Sequence, residues 1–400
     1  MRWVGPNASH GRNVREHGAV AVIVSVLVAA GVVMGSLAIS VDIGQIMSER
    51  RQLQNGADAA AMALAAMCAE SGNASCAADS ASSYNPAATA VKPLANFNAK
   101  DGLSSIASIC AANVAGFTDT CAPAAADAGN LGKCNPLPTG FNAAIKYVEV
   151  RTRTQTSSGS TVLTPFAQAL VGGGSSGTTV SSCARAAWGP PSSTGNTLPL
   201  VVGNCEWLKM TANGTKYAPG PPYSPAPGTS TTLLPTVIKT GGYVVGIQAH
   251  ADANNVDPAC RKANGEYYPG GFGWLSETDC VASIAADATV NGETGAAVPN
   301  GCKTASNLNQ WVGREVFIPI AISDTGSGTS GVYQLDGVAS FFLAGYSSLP
   351  SGGTYAVYKD ELNVCSSKCI WGWFTSGLLP VGSSVGTGTS KGSNIVVPVG

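Results

Sequence analysis

The sequence predicts an α+β protein in which a long N-terminal helix precedes two β-containing parts. Three observations predict it. An uncharged apolar run spans Ala19 to Val41, small and apolar positions keep a helical period well beyond it, and short strand-like runs separated by Gly, Pro and Asn fill the remainder. All 12 cysteines lie on the C-terminal side of the apolar run.

Residues 1–18 form a short arm, and residues 19–41 form the predicted transmembrane helix. As a helix this run rises about 35 Å, enough to cross a hydrocarbon core of roughly 30 Å with some tilt. Ser25, Ser36 and Ser40 interrupt it, and their hydroxyls can bond back to the helix carbonyls. A cleaved signal peptide would need a shorter apolar stretch followed by a small-x-small site, whereas a further helical stretch follows here, which favours a retained anchor. Arg2, Arg12 and Arg15 before the run are nearly balanced by Arg50 and Arg51 after it. Orientation is therefore read from the cysteines: an even number on one side suits disulfides in an oxidising compartment. The expectation is a single-pass cell-membrane protein, N-terminus cytoplasmic and the remainder extracellular.

Charged residues make up only 11% of the chain and the net charge is -1. Such a balance implies no nucleic-acid partner, and the membrane is the one partner that composition indicates.

Residues 42–70 are read as an amphipathic extension of the same helix. Ile43, Ile46, Met47, Leu53, Ala57, Ala60, Ala61, Leu64, Met67 and Cys68 recur about every three and a half residues, opposite Asp42, Gln45, Glu49, Arg51, Gln52 and Asp58. Ala57, Ala60, Ala61 and Leu64 form a small stripe available for packing, and Ser71-Gly72-Asn73 signals the end. Inside the apolar run, Gly31 and Gly35 form a G-x-x-x-G pair. This either marks close approach of a second helix or reflects the general frequency of glycine in transmembrane helices.

The order of features along the helix carries a resemblance. Glu16-His-Gly18-Ala, the span, Val41-Asp42-Ile-Gly44, and Arg51-Gln-Leu-Gln54-Asn-Gly-Ala-Asp58-Ala-Ala-Ala resemble the N-terminal segment of TadE/TadG-like proteins of Flp (tight adherence) pilus assembly. The resemblance implies a non-enzymatic, membrane-anchored accessory protein at the cell surface, meeting other pilus-assembly or pilin-like proteins through helix packing. Two family features are not carried over. Ile23 stands five residues after Gly18, where cleaved pseudopilins have Glu, and the Asp-x-Ser-x-Ser metal motif of larger members has no counterpart, since Asp79-Ser-Ala and Asp324-Thr-Gly lack Ser in the third place. No metal and no cofactor are expected.

Residues 71–189 are read as a pilin-like α/antiparallel-β module with a loop-rich start over 71–140. Lys146 to Thr154 alternates as a half-buried strand, with Val148, Val150, Thr152 and Thr154 inward and Glu149, Arg151 and Arg153 outward. Leu163 to Leu170 is a short helix candidate, and Thr178 to Trp188 a second strand. Gly189 to Asn196 is dense in breakers, so residues 190–197 are read as a linker. Residues 198–377 are read as a mostly-β domain with strands near Leu198–Val202, Thr236–Ile247, Glu315–Ile322, Val332–Gly345, Tyr355–Lys359 and Trp371–Phe374. Within it Gly271–Leu275, Val316–Ile320 and Gly337–Tyr346 resemble the C-terminal halves of the actinobacterial type of TadE/TadG-like protein. Residues 378–400 are read as a flexible tail.

Cys68, Cys76, Cys110, Cys121, Cys134, Cys183, Cys205, Cys260, Cys280, Cys302, Cys365 and Cys369 are disulfide candidates of open connectivity. Asp324-Thr-Gly-Ser327 imitates an aspartic-protease loop, but such a site needs two carboxylates sharing a proton and the chain has no second copy, so a strand-connecting turn is the preferred reading. His250 to Asp257 lacks the ligand spacing of a calcium loop, and Cys365-Ser-Ser-Lys-Cys369 lacks that of a redox or zinc site. Trp274, Trp311, Trp371, Trp373, Phe341, Phe342 and Tyr346 are read as strand core, with an adhesive, glycan-binding surface as the alternative.

Overall fold

The apolar run and its amphipathic continuation form one helix, α1 (Asn13–Ala81), in the computed structural model. At 1.5 Å per residue it is about 100 Å long. The structure describes residues 1, 13–81, 91–114, 134, 136–157, 159–166, 177–249, 260, 272–275, 279–292, 298–325, 332–349, 353–379 and 384–399, with side chains of α1 described over 18–70. Ser25, Ser36 and Ser40 donate to Ala21 O, Val32 O and Ser36 O at 2.7, 2.6 and 2.7 Å, so the span's hydroxyls are satisfied within the helix. The helix does not stop at Ser71-Gly72-Asn73. It continues to Ala81, a correction to the sequence reading: one glycine costs a helix interior only about 1 kcal/mol, and Ala74, Ala77, Ala78 and Ala81 follow it.

After α1 come a short helix α2 (Val91–Phe97), then β1 (Ser104–Ala112), β2 (Lys146–Thr154) and β3 (Ser181–Gly189). Reading 71–140 as loop missed α2 and β1. The β1 segment Ser-Ser-Ile-Ala-Ser-Ile-Cys-Ala-Ala is built from small residues whose hydropathy barely alternates, and it is held by antiparallel pairing from Ser104↔Thr154 to Ala112↔Tyr147. β2 falls where its alternation predicts and pairs β3 from Lys146↔Trp188 to Arg153↔Ser181.

The chain continues through β4 (Ser193–Thr197), β5 (Leu200–Gly203), α3 (Asn204–Met210), α4 (Thr236–Thr240) and β6 (Val245–Gln248). Then follow β7 (Phe272–Trp274), β8 (Ala282–Ala285), β9 (Thr289–Asn291), α5 (Ala305–Asn309), β10 (Arg314–Thr325) and β11 (Val332–Ser347). β12 (Tyr355–Ala356), β13 (Cys369–Thr375), β14 (Gly377–Leu378) and β15 (Ser393–Pro398) close the sequence of elements. The stretch Thr236–Ile247, read as one strand, is a helix and a strand. Pro235 sits at the N-cap of α4, and Gly242 takes φ 62° in the turn before β6.

Two large sheets and the β4–β8 pair organise these strands. The first has the order β1-β2-β3-β15-β14, the second β6-β13-β11-β10-β5-β7, with β9 and β12 also paired to β11. Residues 393–398, read as tail, are thus a strand within the first sheet, antiparallel to β3 with Ile395↔Gly189 and Pro398↔Ala186. Its Ile395 and Val396 are buried, which a valine-rich segment achieves once it has a sheet to join. Residues 193–197, read as linker, form β4 and pair β8, and Thr194 Oγ1 accepts from Ile284 N at 3.0 Å. The breakers there bend a strand: Gly195 takes φ 60° where the register shifts between Ser193 and Asn196.

The core of the second sheet is aromatic. Phe342 stacks on Trp373 at 4.7 Å, Tyr223 meets both rings edge-on at 5.0 and 5.4 Å, and Trp373 Nε1 donates to Tyr223 OH at 2.9 Å. Trp274, Trp371, Phe341 and Tyr346 are buried as well, while half-buried Trp311 donates to Cys280 O at 2.8 Å. These seven aromatics are core rather than an adhesive surface.

Candidate functional site

The feature that sets this chain apart is the change of environment along α1. From Gly18 the helix is bare: its most apolar window has mean hydropathy 2.6, none of that window is buried, and Val20, Leu27 and Met34 are 59%, 66% and 70% exposed. It is long and apolar enough to cross a membrane. A Cβ added at Gly31 or Gly35 meets nothing within 4 Å, so the G-x-x-x-G face is open.

Past residue 48 the same helix is gripped. Glu49 and Thr154 share a side-chain hydrogen bond, Ser182 Oγ donates to Arg50 O at 3.2 Å, and Thr152 Oγ1 donates to Leu53 O at 2.9 Å. Gln54 Nε2 reaches both Cys183 O and Asp58 Oδ1 at 3.0 Å, fixing β3 and the next helical turn with one amide. Further along, Asn394 of β15 donates to Ala69 O at 2.9 Å. Loss of hydration raises the Glu49 carboxyl above its usual range despite the Thr154 bond, with Asp101 adding repulsion, and raises Asp58 despite the bond from Gln54.

The predicted packing stripe packs on its own chain. Ala57, Ala60, Ala61 and Leu64 are 0 to 3% exposed and lie against Val148, Val150, Ala184, Ala186 and Trp188 of the first sheet. The stripe is therefore not available to a partner helix, because the sheet supplies the partner surface within the chain. Small side chains let α1 approach its neighbours closely, α2 as well as the sheet. Gly56 shows this best: an added Cβ would stand 3.1 Å from Ala95 O and 3.2 Å from Ala95 Cα of α2. Sequence reasoning overlooked Gly56, although a glycine in mid-helix is itself the signal of a close approach.

The other motif residues divide. Asp42 is buried at 4% exposure just beyond the span, Gly44 has open space around it, and Arg51 faces solvent. Gly18 begins the bare stretch, and the side chain of Glu16 lies outside the described residues.

On the reverse face of the first sheet, Glu149 and Arg151 are 4% and 8% exposed rather than solvated as the alternation predicts. Glu149 accepts from Arg151 Nε at 2.9 Å and from Arg185 at 2.8 Å, so the buried carboxylate serves two guanidiniums. The Cys134–Cys183 disulfide brings the segment at residue 134 over this face. Cys134, Glu149 and Cys183 also cluster as metal ligands would, but both sulfurs are in the disulfide and the carboxylate is in the ion pairs.

Cys205–Cys260, Cys280–Cys302 and Cys365–Cys369 are likewise bonded, as are Cys68 and Cys110. No described cysteine is free. The side chains of Cys76 and Cys121 lie outside the described residues, as do residues 250–257, the helix candidate beyond Phe166, and the turn that follows Asp324 and Thr325 at the end of β10.

A bare apolar helix that enters, without a break, the joint of a β-rich and disulfide-linked body defines a protein built on an N-terminal anchor-like helix. Within it, residues 18–67 match the family model for putative Flp pilus-assembly TadE/G-like proteins. The N-terminal segment is TadE/G-like, and the match covers the bare half of α1 together with its joint to the sheet. No curated protein and no solved structure matches the chain.

Proposed function

We propose that this protein is a single-pass, non-enzymatic accessory component of Flp-type pilus assembly or anchoring, with residues 1–18 in the cytoplasm and both sheets outside the cell membrane. The observation that carries this reading is the division of α1. The half that no part of the described chain covers has the length and hydropathy of a membrane span, and the half that follows is fixed to a body whose described cysteines are all disulfide-bonded. Reducing compartments do not keep such bridges, which supports placing the body outside.

In this reading the span holds the protein in lipid, and the open Gly31/Gly35 face is where a partner helix from the pilus machinery approaches. The amphipathic half transmits position: ten residues of helix correspond to about 15 Å, so the sheets stand at a fixed height above the bilayer. A test in the native host replaces Gly31 and Gly35 with Leu, which leaves the described fold untouched, and counts surface pili by electron microscopy. The reading expects normal protein levels with few or no pili. Topology is tested separately with a membrane-impermeant amine reagent on intact cells: Lys239 and Lys359 should be labelled. Protection of both would place the body inside and overturn the orientation.

A further inference from the structure

One polar cluster around a buried lysine is not used by the anchor or by the joint. Lys391 lies just before β15 and is 3% exposed, yet it ends in an amine that needs partners. Its Nζ lies 3.0 Å from Asn204 Oδ1 and 3.2 Å from Asp336 Oδ2, and the Trp207 ring covers it at 4.9 Å.

The second sheet positions all three groups. β5 runs parallel to β10 with Ile320↔Val202 and Ala321↔Gly203, which leaves Asn204 as the next residue at the start of α3. β10 in turn pairs β11, and between Pro319↔Val338 and Ala321↔Leu335 one residue of β10 faces two of β11, Asp336 and Gly337. This bulge, with Gly337 at φ 100°, turns the Asp336 carboxylate toward Lys391. Gly337 also seats the incoming segment: an added Cβ would stand 2.6 Å from Thr389 O and 3.1 Å from Lys391 Cγ.

We propose that Lys391 and Asn204 become joined by an intramolecular isopeptide bond, with Asp336 moving the proton. An amine, a carboxamide and a carboxylate held within hydrogen-bond distance, the amine buried and the carboxylate partly open to solvent, have the makings of an amide exchange, since Asn204 Cγ is one bond beyond the oxygen that Nζ already touches. Asp336 takes a proton from the Lys391 ammonium. The free amine attacks Asn204 Cγ, and the Nζ–Cγ bond forms. A second proton passes from that nitrogen to Nδ2, the Cγ–Nδ2 bond breaks, and ammonia leaves, taking up the proton held by Asp336. Nothing is oxidised or reduced, and Asp336 is regenerated. The product ties the segment leading into β15 of the first sheet to α3 beside the second.

The test uses the full chain purified from membranes in detergent. After complete reduction of the disulfides, intact mass should fall below the sequence mass by one ammonia, and proteolysis should yield a branched peptide containing both Lys391 and Asn204. Asp336→Asn and Lys391→Met, verified as folded by circular dichroism, should restore the full mass. A wild-type chain with its full mass and linear peptides, or one lacking ammonia but showing a succinimide in place of the branch, would overturn the proposal whether or not the variants fold.

Discussion

Two glycines of α1 have opposite surroundings, and so opposite predicted consequences. Gly56→Val would push β-branched carbons into the α2 backbone that already stands 3.1 Å from an added Cβ, and we expect a loss of about 1–3 kcal/mol. Gly44→Ala meets nothing and should raise stability by up to about 1 kcal/mol through helix propensity alone. Thermal unfolding of the detergent-solubilised protein compares the two directly. Glu149→Gln removes the anion from two largely buried guanidiniums and should cost about 3–5 kcal/mol in the same assay.

The two raised carboxyls of the joint set a pH dependence. For Asp58 and Glu49 the folded values lie above the usual 3.8 and 4.5, so the folded state binds protons more readily than the unfolded one. Their contribution is fully present below those usual values and is lost as pH rises through the higher folded ones. Melting at pH 4 should therefore show a firmer joint than at pH 7, with Asp58→Asn flattening part of the difference.

At the scale of elements, α1 is a strut whose C-terminal half needs the sheet. Leu64→Ala opens a cavity between helix and sheet and should cost about 2–5 kcal/mol, while the apolar span, none of whose most apolar window is buried, should keep its helicity. Circular dichroism with hydrogen exchange separates those two effects. The helix, β2, β3 and the long β10 and β11 were legible in the sequence because each carries a sustained period of its own. β1 was not, since alternating Ser, Ala and Ile give little contrast. The joint was half legible: the Ala57, Ala60, Ala61 and Leu64 stripe stands out in the sequence, but whether it meets its own sheet or a neighbour depends on pairing across Leu53 and Thr152, 99 positions apart. β4 and β15 were misread for one reason. Glycine, serine and proline mark where a chain can bend, and a bent strand with distant partners has the same composition as a free linker.

For the molecule as a whole, the two sheets are interlocked through sequence. β15 lies between β3 and β14, and residues 193–375, which include every strand of the second sheet, separate it from β3. Deleting residues 391–400 should therefore damage the first sheet, whose β3 lies far upstream in the chain, more than the second. Protease resistance around β3, followed by mass spectrometry, reports it: cleavage near Ala184–Trp188 should appear in the truncated protein and be absent from the full chain. Reduction of the disulfides should loosen the reverse face first, because Cys134–Cys183 holds a segment over the Glu149 ion pairs.

The position of β15 also imposes a timetable on biosynthesis. A ribosome delivers β3 long before it delivers residues 393–398, so the flank of β3 stays bare throughout the intervening translation and translocation. Long-range pairing of this kind is slow to form and leaves an adhesive edge in the meantime. A stalled or prematurely clipped chain would keep that edge permanently, marking itself for quality-control proteolysis, whereas a finished chain buries the mark with its own late strand.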